Sequence, residues 1–249
     1  MRMDEPLSTT FPSLRTLVVV FAYNEGVKLD RTLGRFPIER DYDLMVMDDG
    51  SSDGSTQRAL SNGFDVLRNE ANQGIGAAMR RAIGQARTKN YDVIVMFAGN
   101  DKDRPEDIPA LLEPIRRGGS DIVQGSRYLP GGRYGNMPRY RRFATQYVHP
   151  LLFSLAAGRR MTDTTNGFRA IRLSLFDDPN INLNQSWMRR YELEPYLLYQ
   201  AIRLGYGVRE VPVTKIYPPH DLGYTKMRPV TGWWSILRPV FLLGLRLRS

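Results

Sequence analysis

Five short apolar runs, each leaving into small and polar residues and each followed by helical spacing, constrain this chain more than any other feature. The runs are Leu17 to Phe21, Leu44 to Met47, Phe64 to Leu67, Val93 to Phe97 and Asp121 to Gln124. Between them lie stretches that predict helices near Val27 to Arg35, Ser55 to Ser61, Ile75 to Lys89 and Pro105 to Arg117. This alternation predicts an α/β fold, a Rossmann-like, mostly parallel twisted sheet with helices on both faces. Such sheets bind ligands outside the carboxyl ends of their strands. Attention therefore falls on the strand exits: Ala22 to Glu25, Asp48 to Ser51, Asn69 to Gly76, Ala98 to Asp101, and Gly125 to Arg127.

Several classes drop out. With 42% hydrophobic and 24% charged residues, the 249-residue chain can bury a core, which excludes disorder. No cysteine and only two histidines remove disulfides, thiolate metal sites and thiol nucleophiles, and leave little for a His-based zinc site. Gly74-Ile75-Gly76 lacks the third glycine of a dinucleotide fingerprint, and no Gly-Lys-Ser/Thr exists. The first residues carry no apolar signal core, and the longest apolar runs (Leu151 to Gly158, Val240 to Leu245) fall short of the roughly 20 residues a membrane span needs. A cytoplasmic protein is the expectation.

The net charge is +9, and as much positive charge is concentrated between Arg116 and Arg172, where eleven arginines face only Asp121 and Asp163. Such a stretch reads either as a solvated face or as a surface for ligand phosphates, anionic membrane or nucleic acid. No nucleic-acid motif accompanies it, so a nucleic-acid partner is not expected.

At the first exit, the Tyr23 ring can stack on a base, and Glu25 can accept hydrogen bonds from base or ribose. At the second, adjacent Asp48 and Asp49 are costly unless paired or liganded, and both are assigned to ligand recognition. Ser52 to Thr56 reads as turn and cap chemistry. The second half predicts a Gly/Pro-rich turn from Pro130 to Pro138, helices from Arg141 to Ala157 and from Leu193 to Arg203, and a tail from Tyr217.

Together these segments resemble the family 2 glycosyltransferases of GT-A fold, in the dolichol-phosphate mannose synthase-like branch. The likeness runs from Thr16 to Lys226 on ordered motifs: AYNE (22–25), DDGSSDGS (48–55), NQGIGAAMR (72–80), RPEDIP (104–109), GSRY (125–128), TDTTNGFRA (162–170), EVPV (210–213) and GYTK (223–226). It implies a GT-A domain over 1–216 and inverting transfer of a sugar from a nucleotide sugar, GDP-mannose or a UDP-hexose, to a polyprenyl phosphate at the cytoplasmic membrane face. It further implies donor contacts from Ala22, Tyr23, Glu25, Asp48, Asp49, Gly74, Asn100 and Lys226, with Asn72, Gly76 and Arg80 shaping the nearby helix start. Arg127, Arg141 and Thr145 match positions that hold the acceptor phosphate; guanidinium forks suit phosphate oxygens. Asp163, Asn166 and Arg169 fall by the reaction centre or under it, with Asp163 and Arg127 as catalytic candidates and an Asp163–Arg169 pair as the structural alternative. Glu192 and Glu194 match an acidic helix start that can support an acceptor loop or act as base.

The chain departs from that family at the metal site. Where relatives end the fourth strand with Asp-Ala-Asp, this sequence has Ala98, Gly99 and Asn100, followed by Asp101-Lys102-Asp103. Two readings stand. Asn100 with Asp101 or Asp103 binds Mg²⁺ or Mn²⁺, which is the expectation; or Lys102 neutralises the departing diphosphate in a metal-free reaction. In the tail, His220 replaces a family arginine. The run from Gly232 to Arg246, apolar at helical spacing with Trp and Arg, reads as core or as an interfacial helix on the bilayer, within a 217–249 tail. The alternatives in function are a soluble acceptor, in natural-product or cell-wall precursor synthesis, and a nucleotide-sugar-binding relative without catalysis.

Overall fold

After Thr16 the first strand is apolar at every position, and all of it but the half-buried Phe21 is buried, as suits a central parallel strand. Its side chains alternate: Leu17 and Val19 enter one core, Val18 and Val20 the other. The computed structural model describes residues 13–188, 190–219, 222, 231–245 and 247. Its strands are β1 (Thr16–Ala22), β2 (Asp43–Asp48), β3 (Asp65–Arg68), β4 (Val93–Ala98), β5 (Ile122–Ser126), β6 (Arg133–Gly135), β7 (Arg169–Arg172), β8 (Val208–Pro212) and β9 (Thr214–Ile216). The helices are α1 (Val27–Leu33), α2 (Ser55–Ser61), α3 (Ile75–Thr88), α4 (Ile108–Arg116), α5 (Arg139–Phe143), α6 (His149–Ala157), α7 (Leu193–Arg203) and α8 (Thr231–Gly244).

Seven strands form one sheet in the order β3-β2-β1-β4-β7-β5-β8. All neighbours are parallel except β7, which runs antiparallel between β4 and β5. The mostly parallel sheet expected from the sequence is therefore present, with one reversed strand that the alternation did not announce. Helices α1, α2 and α4 cover one face; α3, α6, α7 and α8 cover the other. Because β2 and β4 lie on opposite sides of β1, the order reverses there, and a crevice opens above the carboxyl ends of β1 and β4.

Two local expectations are corrected. The helix from Arg141 to Ala157 is α5 and α6 joined by a π-helical turn over Ala144–Val148. Pro150 in the first turn of α6 has no amide hydrogen for the Gln146 carbonyl, so the chain widens there. The turn from Pro130 to Pro138 contains β6, which pairs in parallel with β9, while Asp103 bridges to Lys215. These contacts stitch the loop after β4 to a strand over a hundred residues away. Near the C-terminus, α8 packs on α6 and α7: Val240 and Leu243 are buried in the larger core, and Tyr199 Oη donates to the Leu243 carbonyl at 2.9 Å.

Candidate active site

The crevice is a cavity of about 570 Å³ with two walls. One wall is made by strand exits of the parallel half: Ala22, Tyr23 and Glu25 after β1, Asp49 after β2, Asn72 and Gly74 before α3, and Asn100 and Lys102 after β4. The other carries Arg127, Arg141, Thr145, Thr165, Arg169, Tyr191, Glu194, Lys215 and Tyr217.

On the first wall, Asp49 accepts hydrogen bonds from Asn69 Nδ2 at 2.7 Å and from the amides of Gln73 and Gly74 at 3.0 and 2.8 Å. Its carboxylate thus clamps the start of α3 beneath the cavity. Gly50, at φ 78°, makes this approach feasible, because a Cβ there would lie 2.5 Å from the Ala71 carbonyl carbon. Asp48 is corrected: it is fully buried, does not line the cavity, and accepts from Ser51 and Thr56 beside Arg68 Nε at 3.5 Å. Asp48 ends β2 and Asp49 follows it, and of the two only Asp49 lines the cavity. Glu25 lines the cavity and pairs with Lys28 at 2.7 Å.

The loop after β4 corrects the metal-ligand expectation for Asp101 and Asp103. Asp101 adopts φ 64°, donates its amide to Thr32 Oγ1 at 3.0 Å, and turns its carboxylate to Arg31 of α1 and to Arg35 just past it. Asp103 is buried and paired with Lys215 Nζ at 2.7 Å through both oxygens. Neither lines the cavity. Asn100 does, and its Oδ1 is buried without a hydrogen-bond partner. Lys102 also lines it, with Nζ 4.3 Å from the centre of the Tyr217 ring. Burial, then the neighbouring Lys215 and Arg141, pushes the Lys102 ammonium down to about 7.

On the second wall, Arg127 and Asp163 form a buried fork, Nε to Oδ2 at 2.6 Å and Nη2 to Oδ1 at 2.7 Å. Burial works against the charged guanidinium, but the Asp163 carboxylate overrides it and raises Arg127 above its ordinary value. Asp163 does not line the cavity; both its oxygens are taken up by Arg127, which does. Nor does it pair with Arg169, which donates instead to the backbone carbonyls of Glu194 and Asn166 and stands 3.5 Å from the Glu194 carboxylate. Thr145 accepts or donates at Tyr128 Oη, 2.6 Å away, and donates to the Arg141 carbonyl at 2.9 Å.

The arginine-rich stretch does not form one patch. Arg116, Arg117 and Arg172 pair with Asp41, Glu113 and Asp121, whereas Arg127, Arg141 and Arg169 converge on the cavity. Sequence reasoning missed Lys215 and Tyr217. Thr214-Lys215-Ile216 reads only as a short strand, and what brings Lys215 inward is its partner Asp103. Lys226 and His220 lie outside the described residues.

The family described as Glycosyl transferase family 2 matches residues 17–178. The undecaprenyl-phosphate mannosyltransferase of Micrococcus luteus is 31% identical over 220 residues, covering 86% of this chain and 88% of that one. The polyprenol monophosphomannose synthase of Mycolicibacterium smegmatis is 30% identical over 230 residues, covering 90% and 84%. Among solved structures, glucosyl-3-phosphoglycerate synthase from Mycobacterium tuberculosis, in complex with Mn²⁺, UDP and phosphoglyceric acid, superposes with a TM-score of 0.66 at 21% identity, covering 91% of this chain and 78% of that one. The fold is GT-A.

That neighbour holds Mn²⁺. The residues present here do not fit such an ion: among the described residues no group of three or more His, Asp or Glu could hold a metal, and the β4 exit offers one neutral amide oxygen. A hard cation on a diphosphate ordinarily takes one or two carboxylates besides phosphate and water.

Proposed function

The chain belongs to glycosyl transferase family 2, a glycosyltransferase, and from that premise we propose that its cavity moves a hexose from a nucleotide sugar to a polyprenyl phosphate. One observation carries the reading. Arg141 and Thr145 line the cavity from the same helical segment that exposes Phe143, Tyr147, Leu151 and Leu155 on its outer side. A phosphate inside and an isoprenoid tail outside match those two faces. Between Arg139 and Arg160 the segment contains no acidic residue, and exposed arginines flank the apolar stripe, a pattern that suits an anionic bilayer surface. Trp234 and Phe241 of α8 and Leu245 just past it are exposed in the same manner. Among the described residues no helix is long and apolar enough to cross a membrane. We read these two apolar faces as lying on a membrane surface.

In this reading Tyr23 and Glu25 receive the nucleotide, and the Asp49 clamp holds the start of α3 beneath it. Arg127, held rigid by Asp163, and Arg141 grip the acceptor phosphate. A phosphate oxygen is the nucleophile and is already ionised near neutral pH, so no general base is needed. This agrees with the commitment of Asp163 to Arg127. The oxygen forms a bond to the sugar C1 as the C1–O bond to the donor diphosphate breaks, and the configuration at C1 inverts.

The test incubates the purified chain with labelled GDP-mannose, UDP-glucose or UDP-N-acetylglucosamine and a polyprenyl phosphate. A solvent-extractable glycolipid from one donor is expected, and Arg141→Ala should raise the acceptor KM with donor affinity unchanged. Transfer to a soluble phosphorylated acceptor with none to the lipid would overturn the reading.

A further inference from the structure

The loop after β4 takes carboxylates out of the cavity and puts a cation in. Asp101 is turned to α1, and Asp103 is consumed by Lys215, whose ammonium also donates to Asn166 Oδ1 at 3.0 Å. Asp103 is thereby a structural counterion rather than a ligand. The Lys102 carbonyl accepts from the Ile216 amide at 3.0 Å, which aligns the loop along β9 and sets the Lys102 ammonium over the Tyr217 ring. Arg141 stands by the same ring, with its guanidinium carbon 5.7 Å from the centre. A ring face favours a cation and holds the ammonium in place, and an arriving diphosphate favours its charged form against the burial that pushes it down to about 7. Asn100, two residues earlier, can donate from its amide nitrogen to a phosphate, while its unpartnered Oδ1 suits a sugar or ribose hydroxyl.

Resting on the transfer reading above, we propose that Lys102 supplies the positive charge that Mn²⁺ supplies in the fold relative, so that this enzyme binds and releases the donor diphosphate without a divalent cation. The step balances without one. The electron pair of the breaking C1–O bond goes to the β-phosphate oxygen, whose new charge meets the Lys102 ammonium; the acceptor oxygen supplies the pair for the new bond, and no proton is transferred. In a cavity with low-dielectric walls, a cation at hydrogen-bond range is strongly coupled to that charge.

The experiment measures GDP and UDP binding to the full chain by calorimetry, in EDTA and in Mg²⁺ or Mn²⁺, alongside turnover. Affinity and turnover of the wild-type chain are expected to differ by less than about twofold between EDTA and metal, because no ligand set among the described residues recruits the ion. Lys102→Met should weaken nucleoside diphosphate binding about ten- to hundredfold, the scale of one lost charge-assisted hydrogen bond, and affect the nucleoside monophosphate much less. Lys102→Arg should recover part of the loss, which separates charge from folding. Wild-type binding or turnover that collapses in EDTA and returns with metal overturns the proposal, whatever the variants do. Metal-free diphosphate binding without transfer to polyprenyl phosphate keeps this inference and removes the acceptor assignment; metal-dependent binding with transfer intact does the reverse.

Discussion

The two walls of the cavity hold their charged groups in different ways. On the donor wall, Asp49 is fixed by backbone amides and an asparagine no more than 25 residues away. On the acceptor wall, two charges are fixed by other charges across long stretches of chain: Arg127 by Asp163, 36 residues on, and Lys215 by Asp103, 112 residues back. A carboxylate held by amides keeps its place whatever happens to distant segments. A buried ion pair depends on both partners, because losing one leaves the other desolvated and unpaired. The donor wall is thus locally encoded, while the acceptor wall exists only once the whole sheet has closed.

The largest effect expected from this contrast is at Asp163. Asp163→Ala should cost about 3–5 kcal/mol in urea unfolding, since it strands a buried guanidinium. Unchanged stability with abolished turnover would return Asp163 to the chemistry and break the distinction. Next comes Asp49→Ala, expected to lose about 1–3 kcal/mol of stability together with nucleotide affinity, whereas Asp48→Ala should lose stability with affinity nearly intact. Calorimetry on the two variants decides it; equal losses of affinity would mean that the turn, not the Asp49 carboxylate, is what the nucleotide reads.

A smaller effect concerns His149, buried where α6 meets the cavity edge and α8. One ring nitrogen lies 2.6 Å from Thr164 Oγ1, and the other lies 3.2 Å from the Ile236 carbonyl. Burial pushes its imidazole below the ordinary value of 6.5, with the Ile236 carbonyl and Asp163 acting the other way. The unfolded chain therefore takes up a proton before the folded one does, so the stabilisation is fully present above 6.5 and is lost as pH falls through the lower folded value. Urea midpoints measured between about pH 7 and about pH 5 should fall, and His149→Gln should flatten that dependence. An unchanged slope in the variant would assign it to other groups. The smallest effect on stability belongs to the outer face. Leu151→Ser with Leu155→Ser should change unfolding free energy by no more than about 0.5 kcal/mol each, yet sharply reduce sedimentation with vesicles containing anionic lipid. Full vesicle binding by that double variant would move the membrane contact to α8.

The sequence by itself determined the layers, the location of the site at the strand exits and the family. Helices α2 and α7 begin and end at Ser55–Ser61 and Leu193–Arg203, the limits read from spacing alone. Those properties rest on periodicity and on residues adjacent in the chain, which remain neighbours after folding. Tertiary structure decided what each charged side chain does. Asp48 and Asp49 are adjacent in sequence, yet only Asp49 lines the cavity; Asp101, at a positive φ, is buried against Arg31 and Arg35; Asp163 pairs with Arg127 rather than Arg169. Lys215 and Tyr217 reach the cavity because β9 pairs with β6 and with the loop after β4. The direction of a side chain and its partner dozens of residues away follow from how sheets and loops pack, so they became visible only when the chain was folded.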